Sequence, residues 1–396
     1  MKVIVQKYGG SSLATPLLIN RIAQRVIKTK RLGYDVVVVA SALGDTTDHL
    51  LDLSKQITKH PPGRELDMLL SVGENISIAL LAMAIQENGC PAISLTANQV
   101  GIITNNNYTR ARILEIKKER IKKELSKGKI VVIAGYQGIS GDNEITTLGR
   151  GGSDTTAVAL AAALKAERCE IMSDVDGIYT ANPRLVTNAR RLEKISYDEM
   201  LDMAELGSQV LKTTAVEFAK NHDVTIHLGS SFTEVIGTVV TNGSWYNPRV
   251  TGVVFDENVV LVCLKNSSKG ANFAIASKLV REFVDVKFIY DMEQQCCLVL
   301  KKDDLEFAKS LIDAGIGQFN GVDYTINHDI GLLSVVGVGI SFASEVIKKV
   351  LQVFGEMQIL PQTYYFSETR LSFAIDRQQL LLAVSRIHDI LILKKN

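Results

Sequence analysis

Apolar positions in the first 245 residues switch repeatedly between two periods. Lys2–Gln6 is a short β-branched run, and Pro16–Arg31 spaces its apolar side chains as a helix does. Tyr34–Ala40 contains four consecutive valines, which suits a strand buried on both faces. The pattern then predicts a long helix over Glu65–Glu87, a strand over Ala92–Leu95, a charged, solvated helix over Arg110–Lys127 and a buried strand over Ile130–Ala134. An Ala-rich helix (Thr155–Ala166), a strand (Cys169–Ser173), a helix (Val210–Asn221) and an extended segment (Val224–Leu228) follow. Such β–α alternation predicts an α/β domain with a mainly parallel sheet sandwiched by helices.

Gly243–Arg249, with Pro248, predicts a boundary, dividing the chain into 1–245 and 246–396. Beyond it the elements are shorter. Strand Val259–Leu264, helix Ala274–Phe283, strands Val286–Ile289 and Cys296–Leu300 and helix Asp304–Ala314 come first. The order recurs as Leu332–Val338, Ser344–Phe354, Gln362–Phe366, Arg370–Ile375 and Gln378–Ile387. This repetition predicts a duplicated small α+β module, at about 250–328 and 329–396, either consecutive or interleaved.

Composition narrows the function classes. At 396 residues the chain exceeds one ordinary core, given roughly 150 residues per domain. Lys and Arg total 44 against 43 Asp and Glu, a net charge of +1, so no global field draws nucleic acid or an anionic membrane. A small anionic substrate would need a local basic pocket. Cys90, Cys169, Cys263, Cys296 and Cys297 form no CxxC pair, and their odd number predicts buried thiols in a reducing cytoplasm rather than a disulfide framework. No stretch reads as the roughly 20 apolar residues of a membrane span.

Five segments carry candidate chemistry. Lys7-Tyr8-Gly9-Gly10-Ser11-Ser12 follows the first strand, where backbone amides can form an anion nest and Lys7 can bridge phosphate oxygens; taken alone, a plain structural turn is the commoner reading, and no Walker A GxxxxGK-S/T is present. Leu148-Gly149-Arg150-Gly151-Gly152-Ser153-Asp154 opens a helix with a cation able to clamp a carboxylate, although Asp154 also suits an ordinary N-cap. Ser173–Arg184 follows a buried strand, where open parallel sheets bind ligands; it also reads as a surface loop. Ser71-Val72-Gly73-Glu74 sets a glycine inside a helix at a cost of ~1 kcal/mol, which calls for a close neighbour. Val39–Asp48 offers hydroxyls and amides at a strand end, or a cap for the next helix.

In order and context these segments resemble the aspartate kinases of the amino acid kinase family. Lys7–Ser12 is similar to K-F-G-G-T/S-S, Ser41–Asp48 to S-A-M-G-x-T-T-D, and Ser71–Glu74 is S-V-G-E. Thr147–Ala157 is similar to T-L-G-R-G-G-S-D-x-S/T-A, and Ser173–Arg184 to T-D-V-D/P-G-I/V-Y-T-x-D-P-R. The resemblance implies an amino-acid kinase catalytic domain over 1–245 and a regulatory region of two ACT-like modules over 246–396. It implies transfer of the γ-phosphoryl of Mg-ATP to the side-chain carboxylate of L-aspartate, the first step towards lysine, threonine and methionine. Lys7 and Asp154 would be catalytic. Ser41, Thr47, Glu74, Arg150 and Ser153 would hold aspartate. Lys7, Tyr8, Gly9, Gly10, Ser173, Asp174, Tyr179, Arg184, Gln209 and Val210 would hold ATP. Mg2+ would travel on ATP without a direct protein ligand. The nucleophile is already an anion, so His49, His60, His222, His227, His328 and His388 need no catalytic role.

The chain departs from that pattern in places. Asn182 stands where Asp is usual, and Gln209 where a nucleotide-contacting Lys is common, with Lys212 three residues on; this predicts weaker ATP binding. Val250–Asp256 and Leu332–Gly339 resemble the starts of the two ACT modules, but Asn266-Ser267-Ser268-Lys269-Gly270-Ala271 replaces the D-x-P-G effector loop. The Q-N-V/I-S segment has no counterpart near Val286–Gln295. Lost or altered inhibition by lysine and threonine follows. The resemblance also implies a homodimer through the ACT-like region, with a free amino acid as the class of effector. The competing expectations are a kinase of a related amino acid and a non-catalytic amino-acid sensor.

Overall fold

The computed structural model describes residues 2–149, 151–208, 210–233, 236–243, 250–265, 267–282, 284–292, 295–317 and 322–393. The chain forms two compact units.

The first unit comprises Met1–Ile178, Arg191–Tyr197 and Val210–Gly243. Its centre is an eight-stranded sheet in the order Lys194–Ser196, Ile236–Thr241, Ile226–Ser230, Arg168–Ser173, Val3–Tyr8, Asp35–Ala40, Ile130–Ala134, Ala92–Leu95. All neighbours are parallel except Ile226–Ser230 with Ile236–Thr241. The valine run Val36–Val39 is fully buried, as an interior strand covered on both faces requires. Helices Pro16–Arg31 and Val72–Glu87 cover one face, with Ile22, Val26, Leu81 and Ile85 closing over Tyr8, Val36 and Val38. Connections leave Val3–Tyr8 towards Asp35–Ala40 and leave its other neighbour, Arg168–Ser173, in the opposite direction. A crevice for ligands therefore opens at the carboxyl ends of these two strands.

Three local expectations change. The charged helix over Arg110–Lys127 is instead strand Ile113–Ile116 followed by helix Glu119–Leu125. Pairing of Ile113–Ile116 with Ile102–Thr104 in a small second sheet outweighs local helix preference. The long helix over Glu65–Glu87 breaks at Ser71 into Gly63–Leu70 and Val72–Glu87. Together these 25 residues are long and apolar enough to cross a membrane, contrary to the reading of the bare sequence. Half of the stretch is buried in the fold, however, as in the core helix of a globular domain.

The second unit comprises Tyr179–Arg190, Asp198–Gln209 and Ser244–Asn396. It holds two four-stranded sheets whose paired neighbours are antiparallel, each carrying two helices. One sheet runs Gly252–Asp256, Ile330–Val336, Arg370–Asp376, Thr363–Phe366, with helices Ser344–Glu356 and Arg377–His388. The other runs Val286–Met292, Gln295–Lys301, Val259–Lys265, Asp323–Asn327, with helices Lys269–Arg281 and Leu305–Ile316. The modules interleave: residues 259–327 are inserted after the first strand of the other module. Ala181 and Val186 are buried in the core of the module built on Ile330–Val336.

The expectation of unpaired thiols is corrected here. Cys263 and Cys297 form a disulfide. They face each other across strands Val259–Lys265 and Gln295–Lys301, with Cα atoms 4.1 Å apart, so strand register rather than sequence spacing brings them together. Cys90, Cys169 and Cys296 are free, and Cys90 is only half-buried.

Candidate active site

The site begins where Val3–Tyr8 ends. Tyr8 is fully buried, and the chain turns at Gly9 into the short helix Gly10–Leu13, which no side chain caps. Gly10 is obligatory: a Cβ there would lie 2.8 Å from the Gly44 carbonyl oxygen and 2.9 Å from that of Ala42. Gly44 N–H donates to the Gly10 carbonyl (3.0 Å), Ser41 N–H to Tyr8 (3.1 Å), and Gly9 N–H to Met172 (3.3 Å). Three strand ends are thus joined around one turn. Ser12 Oγ is 2.6 Å from Ser231 Oγ, and Ser231 N–H donates to the Ser173 carbonyl (2.7 Å). Ser231 had no sequence signal, because its role depends on the alignment of Ile226–Ser230 beside Arg168–Ser173.

Lys7 Nζ lies 2.7 Å from Asp154 Oδ1, with side chains 12% and 9% exposed. The contact is an ion pair, and Oδ1 has no other partner among the described residues. Asp154 occupies the first turn of helix Gly152–Leu164, where a carboxylate suits the positive helix end. The N-cap is Gly151 in left-handed conformation (φ 77°), so the ordinary cap reading of Asp154 does not hold. Side-chain atoms of Lys212 lie where a Cβ on Gly151 would stand, which sets Lys212 against the Gly-rich loop. Ser153 is buried against Gly135, at the end of Ile130–Ala134.

Glu74 is 3% exposed. Its Oε1 accepts the Ala42 N–H (3.2 Å), while Oε2 is buried without a hydrogen-bond partner among the described residues. Burial pushes its carboxyl up to about 8, against the partial offset of backbone hydrogen bonds. Gly73 is required for this approach, since a Cβ would stand 2.7 Å from the Cβ of Ala42. Ser41 and Thr47 are half-buried on the same loop, Thr47 in the first turn of helix Thr46–Ile57.

Ser173 ends its strand half-buried and Asp174 is exposed beyond it. Tyr179 and Arg184 belong to the second unit, where Arg184 N–H donates to Asn182 Oδ1 (3.0 Å), a turn that Asp would make as well. Val210 is half-buried in the first unit. Arg150 and Gln209 lie outside the described residues. Among the described residues, no group of three or more His, Cys, Asp or Glu side chains could hold a metal ion.

Sequence reading also missed Asp67, Thr109 and Tyr136. Asp67 is fully buried and accepts hydrogen bonds from Thr109 N–H, Thr147 N–H and Thr147 Oγ1. Thr109 (φ 67°) and Tyr136 (φ 68°) are both left-handed, a conformation costing non-glycine residues about 1–3 kcal/mol. Left-handed non-glycine residues cannot be read from side-chain patterns.

The amino acid kinase family profile matches residues 2–230. The aspartokinase of Bacillus sp. (strain MGA3) is 43% identical over 399 residues, spanning 98% of this chain and 97% of that one. The aspartate kinase of Pseudomonas putida is 39% identical over 398 residues, with 98% and 97% coverage. Among solved structures, E. coli aspartokinase III in complex with aspartate and ADP is similar at a TM-score of 0.86 and 24% identity, covering 98% of this chain and 99% of that one. Its complex with lysine and aspartate gives 0.78 and 26%, with the same coverage.

Proposed function

The chain belongs to the aspartate kinases of the amino acid kinase family, and we propose that the strand ends around Lys7 carry its chemistry. The γ-phosphoryl of ATP passes to a side-chain carboxylate oxygen of L-aspartate, giving 4-phospho-L-aspartate and ADP. The observation that supports this site is the buried Lys7–Asp154 ion pair beside the Gly9–Gly10 turn. Phosphoryl transfer asks chiefly for alignment and charge neutralisation, and a preset cation provides the second without reorganisation.

In this reading Lys7 and the Gly9–Gly10 amides receive the transferring phosphoryl, and Asp154 fixes the Lys7 ammonium. Arg150 clamps a substrate carboxylate. Glu74 takes the substrate ammonium on Oε2, which has no partner among the described residues, with Ser41, Thr47 and Ser153 completing the pocket. Ser173, Asp174, Tyr179, Arg184, Gln209 and Val210 serve the nucleotide, while Tyr8, fully buried, backs the Gly9–Gly10 turn rather than touching the nucleotide. Mg2+ neutralises the triphosphate. It needs few protein carboxylates when phosphate oxygens and water fill its shell, which suits a strand end whose exposed carboxylate is Asp174.

Incubation with ATP, Mg2+ and a panel of amino acids, with ADP release and hydroxylamine trapping of the acyl phosphate, tests this. Trapping with aspartate alone is expected; trapping with another acid, or amino-acid binding without turnover, would favour the alternatives. The same reading includes a cytoplasmic homodimer at the head of lysine, threonine and methionine synthesis. Inhibition by lysine and threonine is proposed to be lost or altered, because Ser267-Ser268-Lys269-Gly270 follows Val259–Lys265 instead of a D-x-P-G loop. Strong inhibition by either at millimolar concentration would remove that part.

A further inference from the structure

Asp67 sits in helix Gly63–Leu70, one turn before the break that leads to Glu74. A fully buried carboxylate is costly unless its oxygens are occupied. Here both are, and all of their partners come from two other segments. Thr109 N–H straddles Oδ1 (3.0 Å) and Oδ2 (2.9 Å), Thr147 N–H reaches Oδ2 (2.9 Å), and Thr147 Oγ1 reaches Oδ1 (2.6 Å). Burial raises the Asp67 carboxyl, and these donors pull it back towards the ionised form.

What the carboxylate holds is the base of the Gly-rich loop. Thr109 is left-handed at φ 67°, and a Cβ on Gly149 (φ 74°) would lie 3.1 Å from its carbonyl oxygen. Ala111 N–H donates to the Thr147 carbonyl (2.9 Å), so the 109–111 segment and Thr147 are tied together. On the other side, Leu148 N–H donates to the carbonyl of left-handed Tyr136 (2.9 Å), and a Cβ on Gly152 would stand 3.0 Å from the Tyr136 ring. Leu148, Gly149 and Gly152 thus pack against two left-handed residues: Thr109, bonded directly to Asp67, and Tyr136, joined to it through Leu148, the neighbour of Thr147.

We infer that Asp67 is a positioning residue for the aspartate pocket. Its carboxylate holds Thr109 and Thr147 so that the Gly-rich loop enters helix Gly152–Leu164 in one arrangement. This rests on the proposed assignment of Arg150 to the substrate carboxylate. Asp67 itself touches no substrate.

The test uses the full chain and compares Asp67→Asn, Thr147→Val, Thr147→Ser and Asp67→Asn/Thr109→Gly. An amide at position 67 replaces an acceptor with a donor facing donors. It is expected to raise KM for aspartate roughly tenfold or more, with KM for ATP within about twofold. Thr147→Ser keeps the hydroxyl and should match the parent; Thr147→Val should shift KM for aspartate in the same direction. Glycine adopts the left-handed state freely, so Thr109→Gly should recover part of the loss. Amide hydrogen exchange over 105–111 and 147–154 should accelerate in Asp67→Asn. Parallel rises in both KM values, faster exchange without a change in KM for aspartate, or no recovery by Thr109→Gly would overturn the inference. If Asp67→Asn fails to fold, Thr147→Val carries the same KM comparison. Arg150→Ala separates the two claims: an unchanged KM for aspartate there removes the pocket assignment, while the exchange data still judge the hold of Asp67 on the loop.

Discussion

Lys7 and Glu74 show how one burial level produces opposite chemistry. Lys7 is neutralised by Asp154 at 2.7 Å, whereas Glu74 Oε2 has no hydrogen-bond partner among the described residues. Lys7→Met should lower kcat by roughly a hundredfold or more, with a smaller effect on KM for aspartate, measured by ADP release. It also strands a buried carboxylate, so its melting temperature should fall and recover in Lys7→Met/Asp154→Asn. For Glu74, a carboxyl raised from 4.5 to about 8 retains in the folded state a proton that the unfolded chain releases. The corresponding stability is fully present below pH 4.5 and is lost as pH climbs to about 8. Glu74→Gln should abolish that decline in thermal melts. In the parent enzyme, binding an ammonium to Glu74 needs the ionised form, so KM for aspartate should fall as pH rises towards 8. A flat KM between pH 6 and 8.5 would count against Glu74 as the ammonium site.

At the scale of elements, the sequence was readable where burial alone decides the outcome. Val36–Val39 and Ile130–Ala134 are strands because such short, β-branched apolar runs suit a sheet interior covered on both faces, and Pro16–Arg31 is helical from its Thr15 cap onward. Arg110–Lys127 was misread because Ile113–Ile116 gains its strand from a partner, Ile102–Thr104, that local periodicity cannot reveal. The same limit separates the site's parts. The glycine motifs were legible as motifs, whereas Ser231, Asp67 and the turn at Tyr136 exist as site features only through register and backbone conformation. Gly73 was flagged by its propensity cost, and the reason is the neighbouring Ala42. Replacing a helical glycine with alanine ordinarily stabilises by about 1 kcal/mol. Here the contact at 2.7 Å reverses the sign: Gly73→Ala should destabilise by about 1–3 kcal/mol in denaturant titration and raise KM for aspartate. A more stable variant with unchanged kinetics would show that the 41–48 loop yields without consequence.

The whole molecule is organised less simply than its motif order suggests. The disulfide Cys263–Cys297 closes a loop with a sequence separation of 34 inside the inserted module. Reduction should destabilise the module by about 2–4 kcal/mol, seen as a calorimetric transition that moves with reductant. Absence of any such shift would mean that strand pairing alone holds the module. Segments 179–190 and 198–209 belong to the second compact unit although they lie within the first 245 residues, and Ala181 and Val186 are part of its core. A fragment ending at 245 would retain these side chains without the strands and helices that bury them. Exchanging C-terminal halves between relatives is therefore not one splice at a linker. It requires several matched seams, and the natural unit of recombination for this chain is either the module at 259–327, bounded by two adjacent strands, or the entire protein.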